Sequence, residues 1–261
     1  IVTNIDADHL SSYSDDFAQL ESSFVNFLTK MPEEGLAIVC LDDPIVRSIK
    51  DRLTCRVVTY GESADADFRF EPFSQKGLQS TFEAHLGKNK TLSVTLNSIG
   101  RHNALNSLAI IALADFIGLE KNALCEALAN FPGVGRRFKS HGEISVAGGT
   151  ALLFDDYGHH PCEIKATLEG ARGAWPDQRI VLVFQPHRYT RTQHLLEDFA
   201  KVLALPDVLL LLDVYSAGEQ VIPGADGPSL CKVISEQSDR EPIFVPQLQQ
   251  LPKMLLSVLK P

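Results

Sequence analysis

Two apolar runs, each breaking off into a dense polar cluster, set the limits on what this chain can fold into. Leu152-Leu153-Phe154 runs into Asp155-Asp156-Tyr157-Gly158-His159-His160-Pro161. Ile180-Val181-Leu182-Val183-Phe184 runs into Gln185-Pro186-His187-Arg188-Tyr189-Thr190-Arg191-Thr192. Residues 161–175 between them are amphipathic, with Ile164, Leu168 and Ala171 on one helical face and Pro161 suited to the first helical position. This spacing predicts a strand, a helix and a parallel strand. Open parallel sheets bind ligands beyond the carboxyl ends of their strands, where both clusters fall. Three histidines, two arginines, two aspartates and two tyrosines are expected to line one crevice.

The alternation continues downstream. Leu195, Leu196, Phe199, Val202 and Leu203 share a helix face, 208–212 is a strand ending in Asp213-Val214-Tyr215-Ser216-Ala217-Gly218-Glu219, 229–235 is a helix and 243–245 a strand. Strands alternating with helices predict a doubly wound α/β domain with right-handed crossovers. Upstream, Phe17, Leu20, Phe24, Phe27 and Leu28 recur at helical spacing and are expected in a core. Residues 36–41 and 57–61 read as strands, whereas 66–97 alternate apolar and polar, as antiparallel strands with one wet face do. His85 in that alternation is expected to face solvent. A long helix opens at Gly100-Arg101-His102-Asn103-Ala104-Leu105-Asn106, and a second spans 121–131. Pro132-Gly133-Val134-Gly135-Arg136-Arg137-Phe138 reads as a hinge with phosphate-binding charge or as a solvated basic linker. The domain boundary is placed there, dividing 1–134 from 135–261.

Composition removes several classes. A length of 261 residues suits two domains, and a net charge of −9 argues against nucleic acid as a partner. The five cysteines, at 40, 55, 125, 162 and 231, form no C-x-x-C pair, which argues against a disulfide framework and fits a reducing cytoplasm. No apolar run approaches the roughly 20 residues of a membrane helix, so membrane insertion is not expected. No G-x-x-x-x-G-K-[ST], G-x-G-x-x-G or G-x-S-x-G motif occurs. The chain opens at Ile1 in a strand-like run and closes in a helix-like one, so it is expected to be part of a longer polypeptide.

Three further clusters carry chemistry. Asn4-Ile5-Asp6-Ala7-Asp8-His9 suits a hard divalent cation, or a phosphate carrying one, with a capped turn as the competing reading. His102, Asn103 and Asn106 crowd a helix start. There amides can match an adenine edge and the helix amino end favours phosphate, unless the asparagines simply cap. Arginines in the downstream crevice suit phosphoryl oxygens and carboxylates. His159 and His160 could ligate zinc, but Arg188 and Arg191 nearby would repel a cation.

Six of these motifs stand in the order seen in the Mur ligase family, which this chain resembles over its whole length. They are Thr3-Asn4-Ile5-Asp6-Ala7-Asp8-His9, Gly100 to Asn106, Gly135-Arg136-Arg137-Phe138, Asp155 to Pro161, Pro186 to Thr192 and Val214-Tyr215-Ser216-Ala217-Gly218-Glu219. The resemblance implies the later part of a central ATP-binding domain followed by a Rossmann-like domain that brings the amino acid, with the last strand of the latter missing. It implies ATP and Mg2+ as cofactors, and UDP-N-acetylmuramate and L-alanine as substrates joined through an acyl phosphate in peptidoglycan precursor synthesis. A homodimer is among the assemblies it allows. His9 is implied as a magnesium ligand, and His102, Asn103, Asn106, Arg136 and Asp156 as nucleotide contacts. Tyr157, His159, Arg188 and Arg191 would face the acyl phosphate and the incoming amino acid, with His159 helping to deprotonate the amine. Asp6 departs from the glutamate usual in the family, which shortens carboxylate reach by one methylene. Without a phosphate loop these residues alone are not expected to catalyse ligation. The competing readings are a ligase that recycles murein tripeptide and a non-catalytic nucleotide-binding module.

Overall fold

The computed structural model describes residues 1–7, 10–14, 16–32, 34–87 and 90–259. Its contacts cluster into two compact units, residues 1–132 and 133–261.

In the first unit α1 (Phe17–Thr29) starts where the Asp16 carboxylate accepts the Ala18 N–H at 2.8 Å. β1 (Leu36–Cys40) leads into α2 (Pro44–Ile49), capped by Asp43 with Pro44 in the first turn. β2 (Arg56–Tyr60), β3 (Phe68–Lys76), β4 (Gln79–Leu86) and β5 (Lys90–Leu96) complete a sheet in sequential order. β1, β2 and β3 run parallel, and β3, β4 and β5 antiparallel. α3 (Arg101–Phe116) and α4 (Lys121–Asn130) follow. The two-residue period of β1 divides its side chains: Ile38 and Cys40 join the core under α3, while Ala37 and Val39 pack with α1 and α2. Val2 adds one bridge beside Val39. Contrary to expectation, Phe27 is 64% exposed. Val25 and Leu28 set the buried face of the last turns, and Phe27 is turned about 100° from Leu28. His85 is half-buried, off the core face, with Nε2 3.2 Å from Glu71 O.

The second unit opens with β6 (Lys139–Val146) and β7 (Gly149–Asp155), a two-stranded antiparallel sheet of their own. α5 (Pro161–Ala174), β8 (Val181–Phe184), α6 (Tyr189–His194), α7 (Leu196–Leu203), β9 (Val208–Leu212), α8 (Gly227–Gln237), β10 (Ile243–Val245) and α9 (Leu251–Val258) follow. β10, β9 and β8 form a parallel sheet in that order. Phe184, Leu209 and Leu211 pack under α5, α7 and α8, while Leu210, Leu212 and Val245 pack against α9. Helices therefore cover both faces, as a doubly wound domain requires.

The expectation that β7 runs parallel beside β8 is corrected. β7 pairs antiparallel with β6, and Leu152 and Leu153 are 46% and 42% exposed. The connection is only Ala147-Gly148, with Gly148 at φ 88° where a side chain would be strained. A two-residue loop closes with little entropy loss, so the local hairpin forms in preference to a distant parallel ladder.

Candidate active site

At the start of α5, His160 is the N-cap and Pro161 follows in the first turn. The Glu163 carboxylate reaches back to accept the N–H groups of His159 at 3.0 Å and His160 at 3.2 Å, completing a capping box. Arg137 Nη1 donates to the same carboxylate at 3.0 Å. Burial alone would raise the Glu163 pKa, but these donors together hold it below its usual value. Asp156 accepts the Phe138 N–H at 2.8 Å and the Gly158 N–H at 2.7 Å, so both its oxygens tie backbone together. A Cβ at position 158 would stand 2.9 Å from Asp156 Oδ1, which is why glycine is needed there.

This bracing presents Tyr157 and His159. The Arg136 guanidinium lies 4.5 Å over the Tyr157 ring, and His159 meets that ring edge-on at 5.2 Å. His159 Nδ1 is 3.0 Å from Tyr157 O. A carbonyl only accepts, so Nδ1 carries the proton and Nε2 the basic lone pair.

Beyond β8 and β9 the ladder continues as a bridge between His187 and Tyr215, with Arg188 N donating to Tyr215 O and Tyr215 N to Pro186 O, both at 2.8 Å. The His187 ring stacks on Tyr215 at 5.3 Å and lies 6.5 Å from His159. These rings bring the clusters after β7, β8 and β9 together. Arg191 is buried and donates from Nη1 to His187 O at 3.2 Å. Arg188, the N-cap of α6, is half-exposed and has φ 73° and ψ 132°, a conformation suited to glycine. Its carbonyl accepts the Thr192 N–H at 3.1 Å and the Thr192 hydroxyl at 2.9 Å, which hold the strained backbone. We expect Arg188→Gly to raise the thermal midpoint, by relief of roughly 1 kcal/mol of strain, while activity falls. A lowered midpoint in a melting curve would show that the position is unstrained.

Burial first, then the charges of Arg191 and Arg188, lower the His187 pKa below its ordinary 6.5. A depressed folded pKa means that the unfolded chain binds the proton more tightly. The stability His187 contributes is therefore present above that ordinary value and lost as pH falls through the folded one. Thermal midpoints between about pH 8 and about pH 5 should decline, and His187→Asn should flatten the part of that decline beginning near the ordinary histidine value. An unchanged profile in the variant would contradict this.

The other predicted residues belong to the first unit. Gly100 N donates to Gln75 Oε1 at 2.7 Å at the entry to α3. Arg101 clamps Glu62 through two bonds and lies 5.0 Å over both Phe70 and Phe73. This fixes the first turns that carry half-buried His102 and Asn103 and exposed Asn106. The Asn103 amide donates to Ile99 O at 2.7 Å. Asp6 is half-buried with its carboxylate hydrogen-bonded by Asn4, and His9 lies outside the described residues.

Sequence reasoning passed over Glu163, and it placed His187, Tyr215 and Glu219 in the polar clusters without giving them a role. The available signal for Glu163 was its place three residues after a cap, as in a capping box. His187 and Tyr215 each fall just past a strand end, and Glu219 closes the polar cluster after β9.

A two-unit α/β chain with an arginine- and histidine-rich cluster at the strand ends has counterparts among known proteins. The Mur ligase middle domain matches residues 1–114, and the Mur ligase, glutamate ligase domain matches 136–261. The chain belongs to the Mur ligase family. It is 51% identical to the UDP-N-acetylmuramate–L-alanine ligase of Coxiella burnetii over its whole length, and spans 56% of that relative. Among solved structures it is similar to UDP-N-acetylmuramate–alanine ligase MurC from Thermotoga maritima, with 27% identity and a TM-score of 0.74 over 97% of this chain and 51% of that one. MurF ligase from the same organism, in complex with ADP, shares the fold at 16% identity and a TM-score of 0.74, over 99% and 55% of the two chains. Among the described residues no helix is long and apolar enough to cross a membrane.

Proposed function

We propose that the protein carrying this chain is an ATP-dependent amide ligase that joins L-alanine to UDP-N-acetylmuramate through an acyl phosphate, in the cytoplasmic synthesis of peptidoglycan precursors, as a monomer or homodimer. The observation that carries this reading is the cluster at the ends of β8 and β9, where Arg188 and Arg191 stand beside His187, whose ring contacts His159 and Tyr215. The likeness to an L-alanine ligase at 51% identity directs the choice of substrate.

We assign residues 135–261 to the amino acid and 1–134 to the nucleotide. Arg188 has open donors for a carboxylate or phosphoryl group, and Arg191 adds positive charge from behind. Tyr157 orients the substrate, and His159 Nε2 takes the proton that the ammonium group must lose before the amine attacks. The amine displaces phosphate from the acyl carbon and leaves the amide. Most of the acceleration would come from placement and fixed positive charge.

The donor set of the first unit fits a nucleotide: exposed Asn106 offers both an amide donor and an acceptor, with His102 and Asn103 beside it. The Asp6 carboxylate is a hard oxygen ligand suited to magnesium, with His9 assigned as a further ligand. Bound ATP and Mg2+ would supply the phosphoryl group that activates the carboxylate and neutralise its charge.

The test is incorporation of amino donors by the protein expressed from its own start codon, with ATP and UDP-N-acetylmuramate. Amide formation with L-alanine but not murein tripeptide is expected, and the reverse would overturn the reading. A murein peptide ligase from Psychrobacter arcticus shares the fold, at 23% identity and a TM-score of 0.61, which makes this the discriminating comparison.

A further inference from the structure

We propose that Glu219 is a positioning residue that also sets substrate charge: it aims the Arg188 guanidinium while leaving its donors open, and it restricts the pocket to amino acids with a single carboxylate. The inference rests on the ligase reading above and deepens it.

Glu219 lies on the turn after β9, where Ala217 at φ 50° and Gly218 at φ 88° reverse the chain and Glu219 N donates to Ser216 O at 3.0 Å. The reversal carries its carboxylate back onto the first turn of α6. Oε2 accepts the Thr190 N–H at 3.0 Å, and Oε1 accepts the Thr190 hydroxyl at 2.7 Å. Arg188, the N-cap of α6, provides no side-chain cap, so Glu219 satisfies the first turn from 29 residues beyond Thr190. Oε1 also lies 3.8 Å from Arg188 Nη1. That distance is beyond a hydrogen bond, so the pair interacts through charge and the guanidinium keeps its N–H fork for a ligand. The Glu219 side chain is 20% exposed and that of Arg188 47%, so the carboxylate sits behind the cation it steadies.

Burial would raise the Glu219 pKa, but the Thr190 donors and the Arg188 charge outweigh it and keep the group ionised. A zwitterionic amino acid with one carboxylate finds the Arg188 fork open. A second carboxylate in the same pocket meets the Glu219 charge, and like charges at short range are strongly disfavoured.

The experiment uses the protein expressed from its own start codon. It measures kcat and KM for L-alanine, and the inhibition constant of L-aspartate against it, in wild type, Glu219→Gln and Glu219→Asp. Glutamine keeps the shape and can still accept from Thr190, so it removes the charge and spares the cap. For Glu219→Gln we expect KM for L-alanine to rise roughly tenfold and L-aspartate to inhibit roughly tenfold or more tightly. Glu219→Asp, with its charge kept, should hold the wild-type balance between the two. Unchanged aspartate inhibition in Glu219→Gln, or a fall in kcat alone, overturns the proposal. So does tighter aspartate inhibition in Glu219→Asp, the variant that carries the test should the glutamine form not fold. A wild-type protein that forms no alanine amide sinks the ligase reading and this proposal with it. An active wild type with flat aspartate inhibition across the variants overturns the proposal alone.

Discussion

Replacing Arg188 by alanine in the protein expressed from its own start codon is expected to lower kcat by roughly 10²–10³-fold, the scale seen when one preorganised donor to a developing oxyanion is removed. The side chain is suited to that role. Among the described residues its ion-pair partner is Glu219, at 3.8 Å and beyond hydrogen-bond range, so the guanidinium is oriented without being tied down. Its backbone is held at φ 73°, in a conformation that folds tolerate mainly where a side chain must be aimed. Alanine keeps that backbone strain, so the melting curve should change little. Steady-state kinetics separate two roles. A fall in kcat with KM nearly constant assigns Arg188 to the transition state, whereas a rise in the alanine KM alone assigns it to the ground-state carboxylate. No change in either would remove Arg188 from the site.

Phe199→Ala should be the most damaging change to the fold, at roughly 3–5 kcal/mol. Phe199, on α7, is fully buried in the core shared with α5, α8, β8 and β9, and packs against Phe184 at 5.8 Å between ring centroids. Whole domains are stable by only about 5–15 kcal/mol, so this loss would take a large share. Phe184 ends β8, and the next residues carry His187 and Arg188, so loosened packing there should also blunt activity. Denaturant midpoints give the stability loss directly. A change below about 1 kcal/mol would mean that the cavity collapses without cost.

Much of the fold was legible because its signals are local. Pro161 after a polar cap announces α5, the apolar run of β9 announces a buried strand, and alternation in β3, β4 and β5 announces an antiparallel sheet with one wet face. The pairing partner of β7 was not legible. Leu152-Leu153-Phe154 reads as a buried parallel strand, but a two-residue connection to β6 decides otherwise. Phe27 failed for a similar reason: helical spacing fixes an angle, and which angle is buried depends on what lies opposite.

The site divides in the same way. Arg188, Arg191, Tyr157 and His159 stand out as polar residues at strand ends, and the structure gathers them with His187 and Tyr215. The residues that brace them were hidden because bracing is a long-range property. Glu219 reaches Thr190 across 29 positions, and the Asp156 carboxylate reaches Phe138 N across 18. The engagement of both Asp156 oxygens by backbone shows a load that residue type alone does not reveal.

The most direct test follows oxygen. UDP-N-acetylmuramate labelled with ¹⁸O in its carboxylate is incubated with ATP, L-alanine and the protein expressed from its own start codon, and the released phosphate is analysed by mass. An acyl phosphate leaves one carboxylate oxygen on phosphorus when the amine displaces it, so each amide formed should release phosphate carrying one ¹⁸O. Unlabelled phosphate, or no amide at all, would contradict the account.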